Sequence, residues 1–229
     1  GGNGIDNIYT GAGAGDVALG EGSADTLYGN FDGDFLIGGM VISTTEELDE
    51  SNQDTINLSS ATAGVILDLS TTVTAGTGIY NGLYSQAMLV TDNAQFDYVR
   101  QIEYIIGSNW DDTFTGNASQ NSILAGDGDD IIYYTRGLDY YNGGNHTIAD
   151  IGTQGSTAPY LGSGDWISLA KETTTTVDFD LRNTIGTVGA NLSTANVTNI
   201  ENIIGYNGVQ NTTGWGTLGN NIFVMYGGN

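Results

Sequence analysis

Apolar residues along this chain return on a nine-residue beat, each standing two places after an acidic or amide side chain. In the first run Ile8, Ala18, Leu27 and Leu36 follow Asp6, Asp16, Asp25 and Asp34, with aspartate spacings of 10, 9 and 9. In the second, four nonads fill 107–142 without a gap: GSNWDDTFT, GNASQNSIL, AGDGDDIIY and YTRGLDYYN. Their sixth places are Asp112, Asn121, Asp130 and Asp139, and their apolar places Phe114, Ile123, Ile132 and Tyr141. Three residues centred on one apolar side chain are too few for a helix and suit a brief β-strand, while the glycines before them supply the positive φ of a turn. A third stretch, GTLGNNIFV at 216–224, keeps the frame but carries Asn221 in place of the carboxylate.

Two such repeats make one coil of about 18 residues, so turns on one side lie two repeats apart. The spacing therefore pairs Asp6 with Asp25, Asp16 with Asp34, Asp112 with Asp130, and Asn121 with Asp139. Between the runs a longer repeat appears. IEYIIG at 102–107 returns as IENIIG at 200–205, and Asp54-x-Ile56-x-Leu58 returns as Asp165-x-Ile167-x-Leu169. VILDL at 65–69 and VDFDL at 177–181 follow, alternating as half-buried strands do. The two copies span 49 residues from Asp54 to Glu103 and 36 from Asp165 to Glu201, so loops must vary in length between them.

Charge changes this picture. The 229 residues hold 27 Asp plus Glu against 4 Lys plus Arg, a formal net charge of -23. Arg100, Arg136, Lys171 and Arg182, with the single His146, cannot neutralise so many carboxylates, so compact folding calls for added cations. A disordered acidic tail does not fit 39% hydrophobic residues, 13 Tyr, 6 Phe and 3 Trp. With no Cys, disulfides and thiolate ligands are excluded, and one His leaves little for zinc. Carboxylates together with turn carbonyls are hard oxygen donors and suit calcium's six to eight ligands better than magnesium's octahedron. The candidate calcium ligands are Asp6, Asp16, Asp25, Asp34, Asp112, Asn121, Asp130 and Asp139, with Gly2, Gly4, Gly126, Asp127 and Gly128 in the turns. Several ions are expected, with folding coupled to their uptake.

The opening GGNGIDNIY fits the pattern G-G-x-G-x-D-x-U-x, with U a large apolar residue, at every fixed position. With the nonads of 107–142, it resembles the RTX, or hemolysin-type, calcium-binding repeat proteins over roughly a third of the chain. The resemblance implies type I secretion, an extracellular or cell-surface location and calcium-triggered folding after export.

The expected fold is all-β, a right-handed parallel β-roll or β-solenoid with calcium-binding turns and inserted loops. Its expected parts are an RTX β-roll at 1–40, a calcium-poor solenoid segment with insertions at 41–106, a second β-roll at 107–150, a second calcium-poor segment at 151–205, and degenerate turns at 206–229. Asn211 and Asn221 suggest a hydrogen-bonded ladder where calcium is missing. Both ends, Gly1-Gly2-Asn3 and Gly227-Gly228-Asn229, fall within the turn motif, so the chain reads as a segment of something longer, with any export signal outside it.

Other residues admit plainer readings. The cluster Glu46, Glu47, Asp49 and Glu50 reads as a solvated loop rather than another ion site, and His146 as a turn residue. Trp110, Trp166 and Trp215, with Tyr133-Tyr134 and Tyr140-Tyr141, suit either edge and core packing or a sugar-stacking face for a cell-surface polysaccharide; packing is the expectation. Six Asn-x-Ser/Thr sites, at Asn57, Asn117, Asn145, Asn191, Asn196 and Asn211, would suit a glycosylated surface but also arise from composition. Motifs for a zinc protease, a serine or cysteine nucleophile or a phosphate loop are absent, so no enzyme is expected. The missing basic surface argues against nucleic acid, and no apolar run is long enough for a membrane span.

Two function classes remain. One is a structural segment of a secreted bacterial surface protein of the S-layer, adhesin or filament kind, self-associating end to end or in a lattice through exposed strand edges. The other is the folding and secretion module of an exported enzyme or toxin.

Overall fold

The computed structural model describes residues 1–41, 47–48, 53–145, 164–171, 176–182, 186–190, 193–205, 211–216 and 223–224. The fold is all-β. Among these residues there is no α-helix, and the one helical element is a single 3-10 turn at Gly78–Tyr80. The chain divides into two compact units, Gly1–Ser108 and Asn109–Asn229.

The first unit contains β1 (Asn7–Tyr9), β2 (Val17–Leu19), β3 (Thr26–Tyr28), β4 (Phe35–Ile37), β5 (Met40–Val41), β6 (Glu47–Leu48), β7 (Thr55–Asn57), β8 (Val65–Asp68), β9 (Val73–Ala75), β10 (Gly82–Leu89), β11 (Asp92–Arg100) and β12 (Tyr104–Ile106). β1 to β4 are the triplets that follow the four sixth-place aspartates. Consecutive triplets enter different sheets, and parallel pairing joins those two repeats apart. One ladder runs β1-β3-β7-β12, matching Ile8 to Leu27, Leu27 to Ile56 and Ile56 to Ile105. The other runs β2-β4-β11-β10-β8, matching Ala18 to Leu36 and Leu36 to Val99. These residues form columns of inward side chains: Leu27, Leu36, Ile56, Val99 and Ile105 are wholly buried, while Ile8 in the outermost strand is half-buried. Each full burial contributes on the order of 2 kcal/mol.

In the stretch before β12, expected from the sequence as a solenoid segment with insertions, the insertion is built of paired strands. Residues 82–100 form a long antiparallel hairpin, β10 with β11, lodged within the sheet between β4 and β8, and β9 pairs along the start of β10. Alternating burial in β10 and at the end of β11 gives the physical reason: an amphipathic period of two lets the insertion join a sheet rather than loop away from it.

The second unit repeats the scheme with β13 (Thr113–Thr115), β14 (Ser122–Asp127), β15 (Ile131–Tyr133), β16 (Tyr140–Asn145), β17 (Trp166–Ser168), β18 (Thr176–Asp180), β19 (Gly186–Ala190), β20 (Ser193–Thr198), β21 (Asn202–Ile204), β22 (Asn211–Trp215) and β23 (Phe223–Val224). Along β13-β15-β17-β21-β23 every described pairing is parallel, and Phe114, Ile132, Ile167 and Ile203 stack as a wholly buried column continued by Phe223. In the order β14-β16-β20-β19-β18-β22, Ile123 meets Tyr141 and Tyr141 meets Val197, with antiparallel β19 inserted between β20 and β18. Trp166 is buried against Ile131 and Ile204, and Tyr134 and Tyr141 are also in the core, whereas Trp110 is exposed. Among the three tryptophans, then, Trp166 packs inside; the side chain of Trp215 lies outside the described residues.

Candidate metal centre

At the entry to each short strand the sixth-place residue ties two repeats together twice. Its main-chain N–H donates to the carboxylate of the sixth residue two repeats on, and its carbonyl accepts from the first strand residue of that repeat. Thus Asp6 N–H donates to Asp25 Oδ1 at 2.7 Å while Thr26 N–H donates to Asp6 O at 2.9 Å. The same clamp joins Asp16 to Asp34 (2.9 Å), Asp112 to Asp130 (2.7 Å) and Asn121 to Asp139 (2.9 Å). These are the four pairs that the two-repeat spacing brings together.

The ladder runs on through residues that the repeat motif does not mark. Asp25 N–H donates to Asp54 Oδ1, and Asp54 N–H to Glu103 Oε2. Asp130 N–H donates to Asp165 Oδ1, and Asp165 N–H to Glu201 Oε2. Asp34 N–H donates to Asp97 Oδ1, and Asp97 Oδ2 also receives Phe31 N–H at 2.8 Å. Asp97, Glu103 and Glu201 each precede a buried apolar residue by two places, Val99, Ile105 and Ile203, so an acid-x-apolar signal without the glycines would have found them. Asp54 and Asp165 lie in the longer repeat already noted, whose Glu103 and Glu201 now have a role: they reach back to cap the aspartate of the preceding strand.

One oxygen of each stacked carboxylate is thereby engaged, and the other separates the sites into two kinds. Asp139 Oδ2 accepts the Tyr141 hydroxyl at 2.7 Å, so this carboxylate is closed off by a neutral donor. Asp25 Oδ2, Asp34 Oδ2, Asp130 Oδ2 and Asp165 Oδ2 are buried with no hydrogen-bond partner among the described residues. A buried carboxylate oxygen left without a partner costs on the order of 1–3 kcal/mol, more when charged, and calls for a proton or a cation. Their surroundings act in the same sense. Burial raises the Asp25 and Asp34 carboxyls above the usual range. Burial, with Asp165 and Asp112 adding repulsion, pushes Asp130 up to about 10, and burial pushes Asp165 up to about 8, with Glu201 and Asp129 adding to it.

Glycine makes room for oxygens beside these atoms. A Cβ on Gly20 would lie 2.3 Å from Gly38 O and 2.8 Å from Asp25 Oδ2, and one on Gly143 would lie 2.1 Å from Asn199 O and 2.4 Å from Asp165 Oδ2. Carbonyl and carboxylate oxygens converge over both bare Cα atoms, a hard donor set suited to a cation such as calcium. A further group, Asp32, Asp34 and Asp97, presents carboxylate oxygens within 4.8 Å of one another and can hold a metal ion.

Among the remaining expected ligands, Asp112 and Asn121 are buried in the ladder. Asp16 is exposed and Asp6 half-buried at the outermost repeats. Asp127 is exposed and accepts Asn145 Nδ2 at 3.2 Å, between Gly126 and Gly128 with φ of +119° and +136°. Gly2 bridges to Glu21, and neither Gly2 nor Gly4 has any atom within 4 Å of where a Cβ would stand, so no steric need for glycine exists at either. The Glu46–Glu50 cluster, except for the backbone of Glu47, lies outside the described residues, as do His146, Asn221 and the side chain of Asn211.

No protein-family model matches this chain, and no curated protein matches it.

Proposed function

We propose that the chain is a calcium-binding, calcium-folded structural segment of a secreted protein of the RTX type, working at a bacterial surface or outside the cell. The observation that carries this reading is the stack of carboxylates whose second oxygens, at Asp25, Asp34, Asp130 and Asp165, are buried without partners among the described residues. Protonation satisfies such atoms at neutral pH only by taking up protons that the unfolded chain has released, which costs stability; a divalent cation serves two carboxylates at once without that cost. The residues that would hold calcium are these four aspartates, with the carbonyls of Gly38 and Asn199 brought close by the adjacent glycines. Bound there, the ion supplies positive charge, and the chain's own carboxylates still fix the register of successive strands through their N–H bonds.

The fold this function needs is a right-handed β-roll of stacked two-repeat coils within each unit. Support comes from the alternation of short strands between two sheets and from parallel pairing of Ile8 with Leu27, Ala18 with Leu36, Phe114 with Ile132, and Ile123 with Tyr141. Self-association through sheet edges is part of the same proposal.

Calcium titration of the chain followed by circular dichroism and light scattering, with magnesium as control, tests it. β-signal that appears only with calcium at about 10⁻⁴ to 10⁻³ M, the range of extracellular modules, accompanied by rising scattering, is the expected result. Folding without scattering would favour a secretion module. A chain fully folded in chelator at neutral pH and indifferent to calcium would refute the proposal.

A further inference from the structure

The β10–β11 hairpin brings into the first unit a carboxylate that belongs to no nonad. Asp97 is wholly buried and lies beside Asp34 in the parallel register of β11 with β4. It receives three N–H groups of the turn before β4, those of Phe31, Gly33 and Asp34, at 2.8 to 3.2 Å. Gly29 makes this approach possible, since a Cβ there would sit 2.1 Å from Asp97 Oδ2.

Asp34 and Asp32 complete a group of three carboxylates with oxygens within 4.8 Å of one another. Independently of that clustering, Asp34 Oδ2 and Asp32 Oδ1 are buried atoms with no hydrogen-bond partner among the described residues, and Asp34 as a residue is wholly buried. The opposite oxygen of each is already occupied: Asp34 Oδ1 by Asp16 N–H, and Asp32 Oδ2 by Gly13 N–H and the Asn30 amide. The Thr10 hydroxyl lowers the Asp34 carboxyl against burial and is directed to the Tyr28 carbonyl at 3.4 Å. Asp32 is only half-buried, which leaves a route for an ion from solvent.

We infer that Asp32, Asp34 and Asp97 form a divalent-cation site that ties the β10–β11 hairpin to the repeat turn preceding β4. The identity of the ion as calcium rests on the reading given above. The site differs from the repeat turns because one of its three carboxylates comes from the insertion, so filling it orders the hairpin as well as the turn. N–H bonds to Asp97 alone leave three carboxylates in mutual repulsion; the cation converts that repulsion into a cross-link.

The test compares the full chain with Asp32→Asn, which keeps an oxygen for Gly13 N–H and removes one charge, and with Asp97→Asn as a second variant. Calcium stoichiometry is measured by equilibrium dialysis and hydrogen exchange is followed over residues 82–100, with magnesium as control. The expected result is one calcium fewer in Asp32→Asn and loss of the calcium-dependent slowing of exchange in the hairpin, with calcium uptake by the remaining sites kept. A variant that binds as many ions and protects the hairpin as well as the wild type overturns this inference while leaving the calcium reading intact. Loss of one ion with hairpin protection unchanged overturns the link to the hairpin. A wild-type chain that takes up no calcium overturns both.

Discussion

At the scale of single residues, the second carboxylate oxygen decides what each aspartate does. Asp139 and Asp130 occupy equivalent places in neighbouring repeats, yet Tyr141 supplies a hydroxyl to the first and no described residue supplies a partner to Asp130 Oδ2. Removing the hydroxyl in Tyr141→Phe should leave Asp139 Oδ2 with only the long 3.4 Å bond from the Thr135 hydroxyl and lower stability by about 1–3 kcal/mol, read from denaturant unfolding at saturating calcium. Asp130→Asn should act in the opposite sense in chelator. It keeps the acceptor for Asp112 N–H and removes a carboxyl that must take up a proton to be buried, so at pH 7 the metal-free variant should unfold at higher denaturant than the metal-free wild type. With calcium present the order should reverse, because the variant has lost a ligand.

At the scale of elements, strand register is set by two chemically distinct devices at the same place. Apolar columns such as Phe114-Ile132-Ile167-Ile203 fix which face points inward, and the N–H to carboxylate clamp fixes the longitudinal match, since a slip of one residue would break both. Glycines beside the clamp keep the turns close enough for it to form. Gly20→Ala would place a Cβ 2.3 Å from the Gly38 carbonyl, a backbone atom with little freedom to retreat. Overpacking of this kind costs typically 1–3 kcal/mol, and the turn oxygens must also separate, so Gly20→Ala should show both a lower unfolding midpoint and weaker calcium affinity in a titration. Ala substituted at Gly2, which meets nothing within 4 Å, should change neither.

At the scale of the whole chain, a net charge of -23 and buried, proton-hungry aspartates make stability depend on pH in a defined direction. Asp130 and Asp165 have folded-state values near 10 and 8, above the ordinary aspartate value of about 4. Between about pH 4 and those values the metal-free folded state holds protons that the unfolded state has released, so stability is greatest below about pH 4 and falls as pH rises through 8 and 10. In chelator, acidification from pH 7.5 to pH 5 should therefore raise the thermal midpoint, and calcium at pH 7.5 should do the same. Calcium uptake at neutral pH should release protons, measurable as a calorimetric enthalpy that varies with the ionisation heat of the buffer.

The sequence by itself determined the all-β class, the two-repeat pairing of Asp6 with Asp25, Asp16 with Asp34, Asp112 with Asp130 and Asn121 with Asp139, and the column of apolar places, because these follow from a short period that local patterning sets. Tertiary structure decided what lay beyond that period. Asp97 is 63 residues from Asp34, and its position depends on how a long hairpin packs into a sheet, which no nine-residue frame encodes. Glu103 and Glu201 were visible as repeats without a visible task, since capping an N–H 49 or 36 residues away becomes apparent only when the strands stand side by side. The distinction between a carboxylate closed by Tyr141 and one left open to a cation likewise depends on side chains meeting in three dimensions, where burial removes water as the alternative partner.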